Sequence, residues 1–211
     1  RGPGETQLET EVIFRTKATK EQAPIYFSDQ RIGTIPPTSL KGAYQIHNVR
    51  TVLQAVEILN SGTFRISTEA VQQGLLKVTE NTELRGRWEI LGTAPKTICD
   101  TAHNREGLSL VFKQLQSEKF QRLHVVLGMV NDKDVLSLLE LFPKQAQYYF
   151  CKPNVPRGLE ASQLAQIFTE HGFEGSVHFS ANEALNTAKQ SASQDDLIYV
   201  GGSTFVVAEI I

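Results

Sequence analysis

A chain of 211 residues, 40% hydrophobic and 21% charged, has the length and composition of one or two folded domains, not of a disordered or fibrous segment. A formal net charge of −2 without a long basic run argues against a nucleic-acid surface, and no apolar stretch reaches the length of a membrane span. Two cysteines, Cys99 and Cys151, give neither a disulfide framework nor metal-ligand spacing, and no secretory signal opens the chain, so a cytoplasmic protein with buried, reduced thiols is expected.

In chain order, a helical stretch is predicted around Glu9–Glu21, then a short apolar strand over Ala23–Ser28 and a loop marked by Gly33, Pro36 and Pro37. Val49, Val52, Leu53, Val56 and Leu59 recur at helical spacing between Asn48 and Asn60, and Asn60-Ser61-Gly62 stops that helix. Ser67 or Thr68 caps another short helix, which Gly74 weakens. From Gly86 onward strands and helices alternate. The strands are Thr97–Asp100, Leu123–Leu127, Gln147–Cys151, Val177–Phe179 and Asp196–Val200, and between them lie helices around Gly107–Gln116, Val135–Phe142, Ala161–His171 and Asn182–Ser191. Short connections and strands that are apolar along their length predict an α/β fold. Its mostly parallel sheet has right-handed crossovers and is covered on both faces, in a Rossmann-like domain over about 86–211.

Chemistry concentrates where the first of those strands ends. Asp100 is its last residue, with acceptor oxygens suited to hydroxyls such as those of a ribose, in the place where open α/β sheets bind ligands. His103 and Asn104 open the following helix, where backbone N–H groups favour anions, although Asp100 or Asn104 would serve equally as an N-cap. Arg87 offers a planar fork of donors for phosphate oxygens, or alternatively a surface ion pair with Glu89. Asn48 pairs an amide donor with an acceptor, as reading the edge of adenine requires, or caps the helix over 49–59. Lys133 and Asp134 place charge after the Leu123–Leu127 strand, where Asp132 would also serve as a helix N-cap. Ser203 follows a glycine pair behind the last strand, in a position that suits either a ligand contact or an ordinary capped helix.

Gly86-Arg87-Trp88-Glu89, a spacer containing Pro95, and Asp100-Thr101-Ala102-His103-Asn104 together resemble a signature of the Mur ligase superfamily, most closely its folylpolyglutamate synthase/dihydrofolate synthase branch. Gly42-Ala43-Tyr44-Gln45-Ile46-His47-Asn48 is similar to the branch's G-x-x-Q-x-x-N, with Tyr44 departing from the usual His. Gly128 with Asp132-Lys133-Asp134, and Gly202-Ser203-Thr204-Phe205, resemble two further segments in the right order. The resemblance implies a ligase that uses ATP and Mg2+ to add L-glutamate to folate or dihydropteroate through an acyl phosphate. It implies that Asn48 contacts adenine, Arg87 the phosphates and Asp100 the ribose. His103 would take part in the chemistry, and Lys133 and Ser203 would contact glutamate. The family's P-loop, G-x-x-x-x-G-K-[ST], does not occur here, so the chain is expected to be a C-terminal portion whose triphosphate and magnesium ligands lie upstream. Residues 1–80 would then be the tail of the central ATPase domain and 86–211 the C-terminal domain. The partners expected are small-molecule substrates of a monomer, with no nucleic acid and no membrane, and no metal ligand is assigned within the chain. A cell-wall ligase of the same superfamily and a non-catalytic α/β binding module are the alternatives.

Overall fold

The computed structural model describes residues 6–132 and 134–211, and the chain divides into two compact units, Arg1–Leu84 and Arg85–Ile211.

The first unit is helical over its described residues. Helix α1 (Leu8–Lys20) places Glu9 and Glu11 in its first turn and Lys17 and Lys20 in its last, matching the helix dipole at both ends. The pair Glu11–Arg15, at 2.6 Å, adds a contact one turn apart. The strand predicted over Ala23–Ser28 does not form. Residues 23–27 run without a ladder partner and helix α2 (Ser28–Arg31) begins at Ser28. A strand needs a neighbour for its N–H and C=O groups, and Pro24 lacks the donor altogether. The aromatic rings of this stretch sit against cations instead, Arg15 over Phe27 at 4.7 Å and Arg31 over Tyr26 at 4.9 Å.

Helix α3 (Gln45–Ser61) starts earlier than its apolar spacing predicts, so Asn48 lies inside the first turn and Tyr44 is the N-cap. Its predicted apolar face is also only partly realised. Val49 is buried together with Gln45 and Gln54, whereas Val52 and Leu59 stay exposed. Helix α4 (Thr68–Leu76) is capped by Ser67, whose hydroxyl accepts from the Ala70 N–H at 3.1 Å, and α5 (Val78–Thr82) closes the unit.

The second unit is the α/β domain. Strands β1 (Glu89–Thr93) and β2 (Lys96–Cys99) form an antiparallel hairpin around a cis Ala94–Pro95 peptide. The chain continues through α6 (Arg105–Leu115), β3 (Leu123–Leu127), α7 (Val135–Leu138, prolonged by a 3-10 turn over Leu139–Leu141), β4 (Gln147–Cys151) and α8 (Ala161–Glu170). Then follow β5 (Glu174–His178), α9 (Ala181–Ser191), β6 (Leu197–Gly201) and α10 (Thr204–Ala208). Among the described residues these strands make one six-stranded sheet, ordered β1-β2-β6-β3-β4-β5, in which only β1 is antiparallel to its neighbour. Sequence analysis missed β1 because Glu-Ile-Leu-Gly-Thr is a half-exposed edge strand with no clear alternation. It also placed β5 too far along, because most of that edge strand is exposed and its burial carries little pattern.

The alternating side chains of the central strands feed two cores. Tyr148 and Phe150 of β4 point to one face, stack on each other and meet Phe168 of α8 tilted and edge-on, while Tyr199 of β6 meets Phe112 of α6 edge-on. Tyr149 and Cys151 point to the other face, where Val126 and Val200 pack with Ala184 and Leu185 of α9 and with Val206 and Val207 of α10. Helix α6 therefore leaves β2 toward one face and α10 leaves β6 toward the other. Because β2 and β6 are adjacent, the two loops part at their carboxyl ends, the kind of switch point at which open α/β sheets bind ligands. Among the described residues no helix is long and apolar enough to cross a membrane.

Candidate functional site

The turn that precedes β1 lies against the carboxyl end of β2. Gly86 and Trp88 both have left-handed backbone, with φ of 68° and 52°. At Gly86 a side chain is excluded twice, by its conformation and by space, since a Cβ there would lie 2.8 Å from Val207 Cγ1 and 3.0 Å from Thr101 Cγ2. The turn is tied to the end of β2 by the Thr101 N–H, which donates to the Gly86 carbonyl at 3.0 Å.

Asp100 holds the same turn from below. Its Oδ2 accepts from the Trp88 N–H at 2.7 Å and its Oδ1 from the Ala102 N–H at 2.9 Å, and the residue is 1% exposed. The carboxylate that sequence reasoning assigned to a ribose is thus the clamp joining the Gly86–Trp88 turn to the Asp100–Asn104 loop. Neither alternative in which Asp100 or Asn48 caps a helix is observed. Asn104 is the N-cap of α6, accepting from the Gly107 N–H at 2.8 Å, and Asn48 Nδ2 donates to Gln45 Oε1 at 2.8 Å. Asn48 is exposed in the first unit, one turn after the buried Gln45.

Arg87 occupies the apex between Gly86 and Trp88, exposed and without a hydrogen bond or ion pair among the described residues. The alternative of an Arg87–Glu89 pair is not observed, because Glu89 is taken by Arg85, whose Nη2 lies 2.5 Å and Nε 2.6 Å from Oε1. The other oxygen, Oε2, accepts from the Gly86 N–H at 2.7 Å. Burial pushes the Glu89 carboxyl up, but the hydrogen bond from Arg85, the Gly86 N–H and the Arg85 charge outweigh it and hold it below the usual glutamate range. Sequence reasoning did not single out Arg85, although its spacing of four residues from Glu89 was there to be read.

His103 is exposed just ahead of the Asn104 cap. Its Nδ1 lies 2.9 Å from the Thr101 carbonyl, which can only accept, so Nδ1 carries the proton and Nε2 presents its lone pair away from that bond. Thr101 Oγ1, at the junction of the two loops, is buried and finds no hydrogen-bond partner among the described residues. Ser203 is 2% exposed and its hydroxyl accepts from the Phe205 N–H at 3.2 Å, so it caps α10.

Lys133 lies outside the described residues. The N-cap expected at Asp132 falls instead on Asp134, which accepts from the Ser137 N–H at 3.3 Å, while Asp132 binds Arg157 at 3.1 Å. A side chain at 134 reaches back to the first turn of α7, whereas 132 is too far upstream to do so. The structure thus brings Arg87, Asp100 and His103 to adjacent loops at the carboxyl end of β2, with Ser203 behind β6, while Asn48 belongs to the other unit. An unpaired guanidinium and an imidazole nitrogen at the carboxyl edge of a parallel sheet suit a phosphate-bearing ligand. Metal ligation is different, since no group of three or more His, Cys, Asp or Glu among the described residues is arranged to hold an ion.

Comparison with known proteins gives this geometry its family. The family described as Mur ligase, glutamate ligase domain matches residues 86–204, more than half of the chain. The chain belongs to the Mur ligase family. A probable bifunctional folylpolyglutamate synthase/dihydropteroate synthase of Haloferax volcanii is 32% identical over 171 residues, covering 81% of this chain and 20% of that protein. The dihydrofolate synthase/folylpolyglutamate synthase of Escherichia coli K12 is 29% identical over 166 residues, covering 78% and 37%. Among solved structures, a folylpolyglutamate synthase/dihydrofolate synthase from Yersinia pestis, complexed with AMPPNP and a Mn ion, matches with a TM-score of 0.65 and 26% identity, covering 85% of this chain and 40% of that one. The chain therefore spans well under half the length of these Mur ligase relatives.

Proposed function

We propose that this chain is the C-terminal part of an ATP-dependent ligase that joins L-glutamate to a folate or dihydropteroate carboxylate. The observation that carries the reading is the exposed, unpaired Arg87 guanidinium, carried at the carboxyl end of β2 on a turn fixed from both flanks. In that reaction the γ-phosphoryl group of ATP passes to the substrate carboxylate and ADP leaves. The glutamate amine then attacks the acyl carbon and loses a proton, and phosphate departs with the C–O bonding electrons. Alignment and charge neutralisation are the protein's share of that work. Arg87 binds phosphate oxygens through its donor fork. Asp100 is assigned to the ribose. His103 Nε2, in the tautomer set by Thr101, accepts a proton or, once protonated, donates to a phosphate or carboxylate oxygen. Asn48 is assigned to adenine, and Lys133 and Ser203 to the incoming glutamate.

Residues 1–80 are assigned to the tail of the central ATPase domain, and the P-loop and Mg2+ ligands to a segment outside this chain. The divalent ion and nucleotide analogue bound by the Yersinia pestis relative support the use of ATP with a divalent ion. A cytoplasmic monomer acting only on small molecules completes the reading. The test is ATP consumption dependent on both folate and glutamate in the full-length protein. Arg87→Ala is expected to lower kcat/KM for ATP about a hundredfold, the size of one transition-state contact to a charged group. Unchanged turnover in that variant, or full turnover by residues 1–211 alone, would overturn the proposal.

A further inference from the structure

Arg87 stands between two charged neighbours, Arg85 and Glu89, each two residues away. An unpaired carboxylate two residues along a turn is the nearest competitor for a guanidinium meant to bind phosphate. Here that competition is suppressed. Arg85 places Nε and Nη2 on Glu89 Oε1, and the Gly86 N–H takes Oε2. Glu89 therefore spends its charge on its left-hand partner and on the backbone of the turn, and none of its oxygens is given to Arg87.

We propose that the Arg85–Glu89 pair is a positioning device that keeps the Arg87 guanidinium free for nucleotide phosphate. The inference rests on the phosphate-binding role proposed for Arg87. Arg85 touches no ligand in this scheme. It acts by occupying the carboxylate that would otherwise draw Arg87 back onto the protein. Glu89 acts through the Gly86 N–H, fixing the flank from which Arg87 projects. The Arg85 side chain is 49% exposed, so its replacement leaves the fold intact.

The experiment measures the dissociation constants of ADP and of adenosine by calorimetry on the full-length protein, and reads their ratio. Arg87→Ala is expected to weaken ADP about 10- to 100-fold with adenosine unchanged, as loss of a charged hydrogen-bonding partner implies. Arg85→Ala is expected to weaken ADP by about fivefold, the reach of a competing exposed ion pair. Adding Glu89→Gln to Arg85→Ala removes the competing charge yet keeps an acceptor for the Gly86 N–H, and ADP affinity should return. Arg85→Lys should retain it. A merely structural pair predicts the reverse, with the double variant no better than the single. If Arg87→Ala weakens ADP while Arg85→Ala does not, or if Glu89→Gln fails to restore binding, the positioning role is wrong and the phosphate role stands. If Arg87→Ala itself changes nothing, the phosphate role fails first.

Discussion

Asp100 is the residue whose removal best tests how the site is built. Its two oxygens serve the Trp88 and Ala102 N–H groups in a place closed to solvent. A hydrogen bond to a charged group contributes roughly 1.5–3 kcal/mol, and a buried N–H left without an acceptor adds a further penalty of similar size. Asp100→Asn keeps one acceptor and turns an NH2 toward the other donor, so it should cost about 2 kcal/mol. Asp100→Ala strands both donors and should cost roughly 3–5 kcal/mol. Trp88 is the single tryptophan of the chain and is 3% exposed in the clamped turn, so its fluorescence reports on this unit and not on the helical one. Urea unfolding of the chain followed at Trp88, with a slope of about 2 kcal/mol/M, should show midpoints lowered by about 1 M for Asn and about 2 M for Ala. Midpoints within about 0.3 M of the parent, with unchanged slope, would refute the clamp, since that corresponds to well under 1 kcal/mol. Coupled with lost ADP affinity, such a result would assign the carboxylate to the ligand alone.

Burial also sets two titrations that can be checked. It pushes the Cys99 thiol up to about 12, helped by the neighbouring Glu89 and Asp100 charges, and burial with Glu209 does the same for Cys151. At pH 8 a chromogenic disulfide should therefore label neither cysteine until denaturant is added, and rapid labelling of the folded chain would contradict their placement. His124 is a buried residue of β3, its Nδ1 2.9 Å from the Tyr149 hydroxyl and its Nε2 3.4 Å from Asp196 Oδ2. Desolvation lowers its pKa below the ordinary 6.5 despite Asp196, so the ring is neutral at pH 7 and the contact is a hydrogen bond, not an ion pair. A depressed folded value means stability fully present above 6.5 and lost as pH falls from there toward the folded value. Urea midpoints should drop between pH 7 and 5, and more steeply than in His124→Gln; equal slopes would show that His124 is not the group responsible.

The central strands were legible because they are buried on both faces and read as continuous apolar runs, as in Leu-His-Val-Val-Leu and Leu-Ile-Tyr-Val-Gly. The same criterion misled at Ala23–Ser28, which is apolar enough for a strand but has no ladder to join. It was silent at β1, an edge whose pairing with β2 is local and whose side chains are half wet. The candidate site shows a similar division. Residue types announced Arg87, Asp100 and His103, because a fork of donors, a carboxylate at a strand end and an imidazole before a helix each imply chemistry. What the residue types cannot announce is a partner that belongs to the backbone. The acceptors and donors that fix Asp100, Glu89 and His103 are the N–H groups of Trp88, Ala102 and Gly86 and the carbonyl of Thr101. Their positions depend on how the chain turns, and no side-chain pattern records that.

The turn itself supplies the last step. A bulky residue in left-handed backbone is an outlier that costs on the order of 1–2 kcal/mol, and Trp88 occupies that region at φ 52°. Two gains offset the cost, since the indole is buried, worth roughly 2–3 kcal/mol for an aromatic side chain of that size, and the Trp88 backbone N–H is held by a buried carboxylate. With Gly86 also left-handed, the chain reverses over three residues. The residue before the apex packs against Val207 and the residue after it drives its ring inward. The side chain between them has only solvent to face. The backbone at Arg87 is thus set by the burial of Trp88, while the engagement of Glu89 by Arg85 and the Gly86 N–H leaves the Arg87 guanidinium unclaimed. A residue whose backbone is held in this way loses less backbone freedom when it binds phosphate than one on a mobile loop, which is why strain at this turn serves the site.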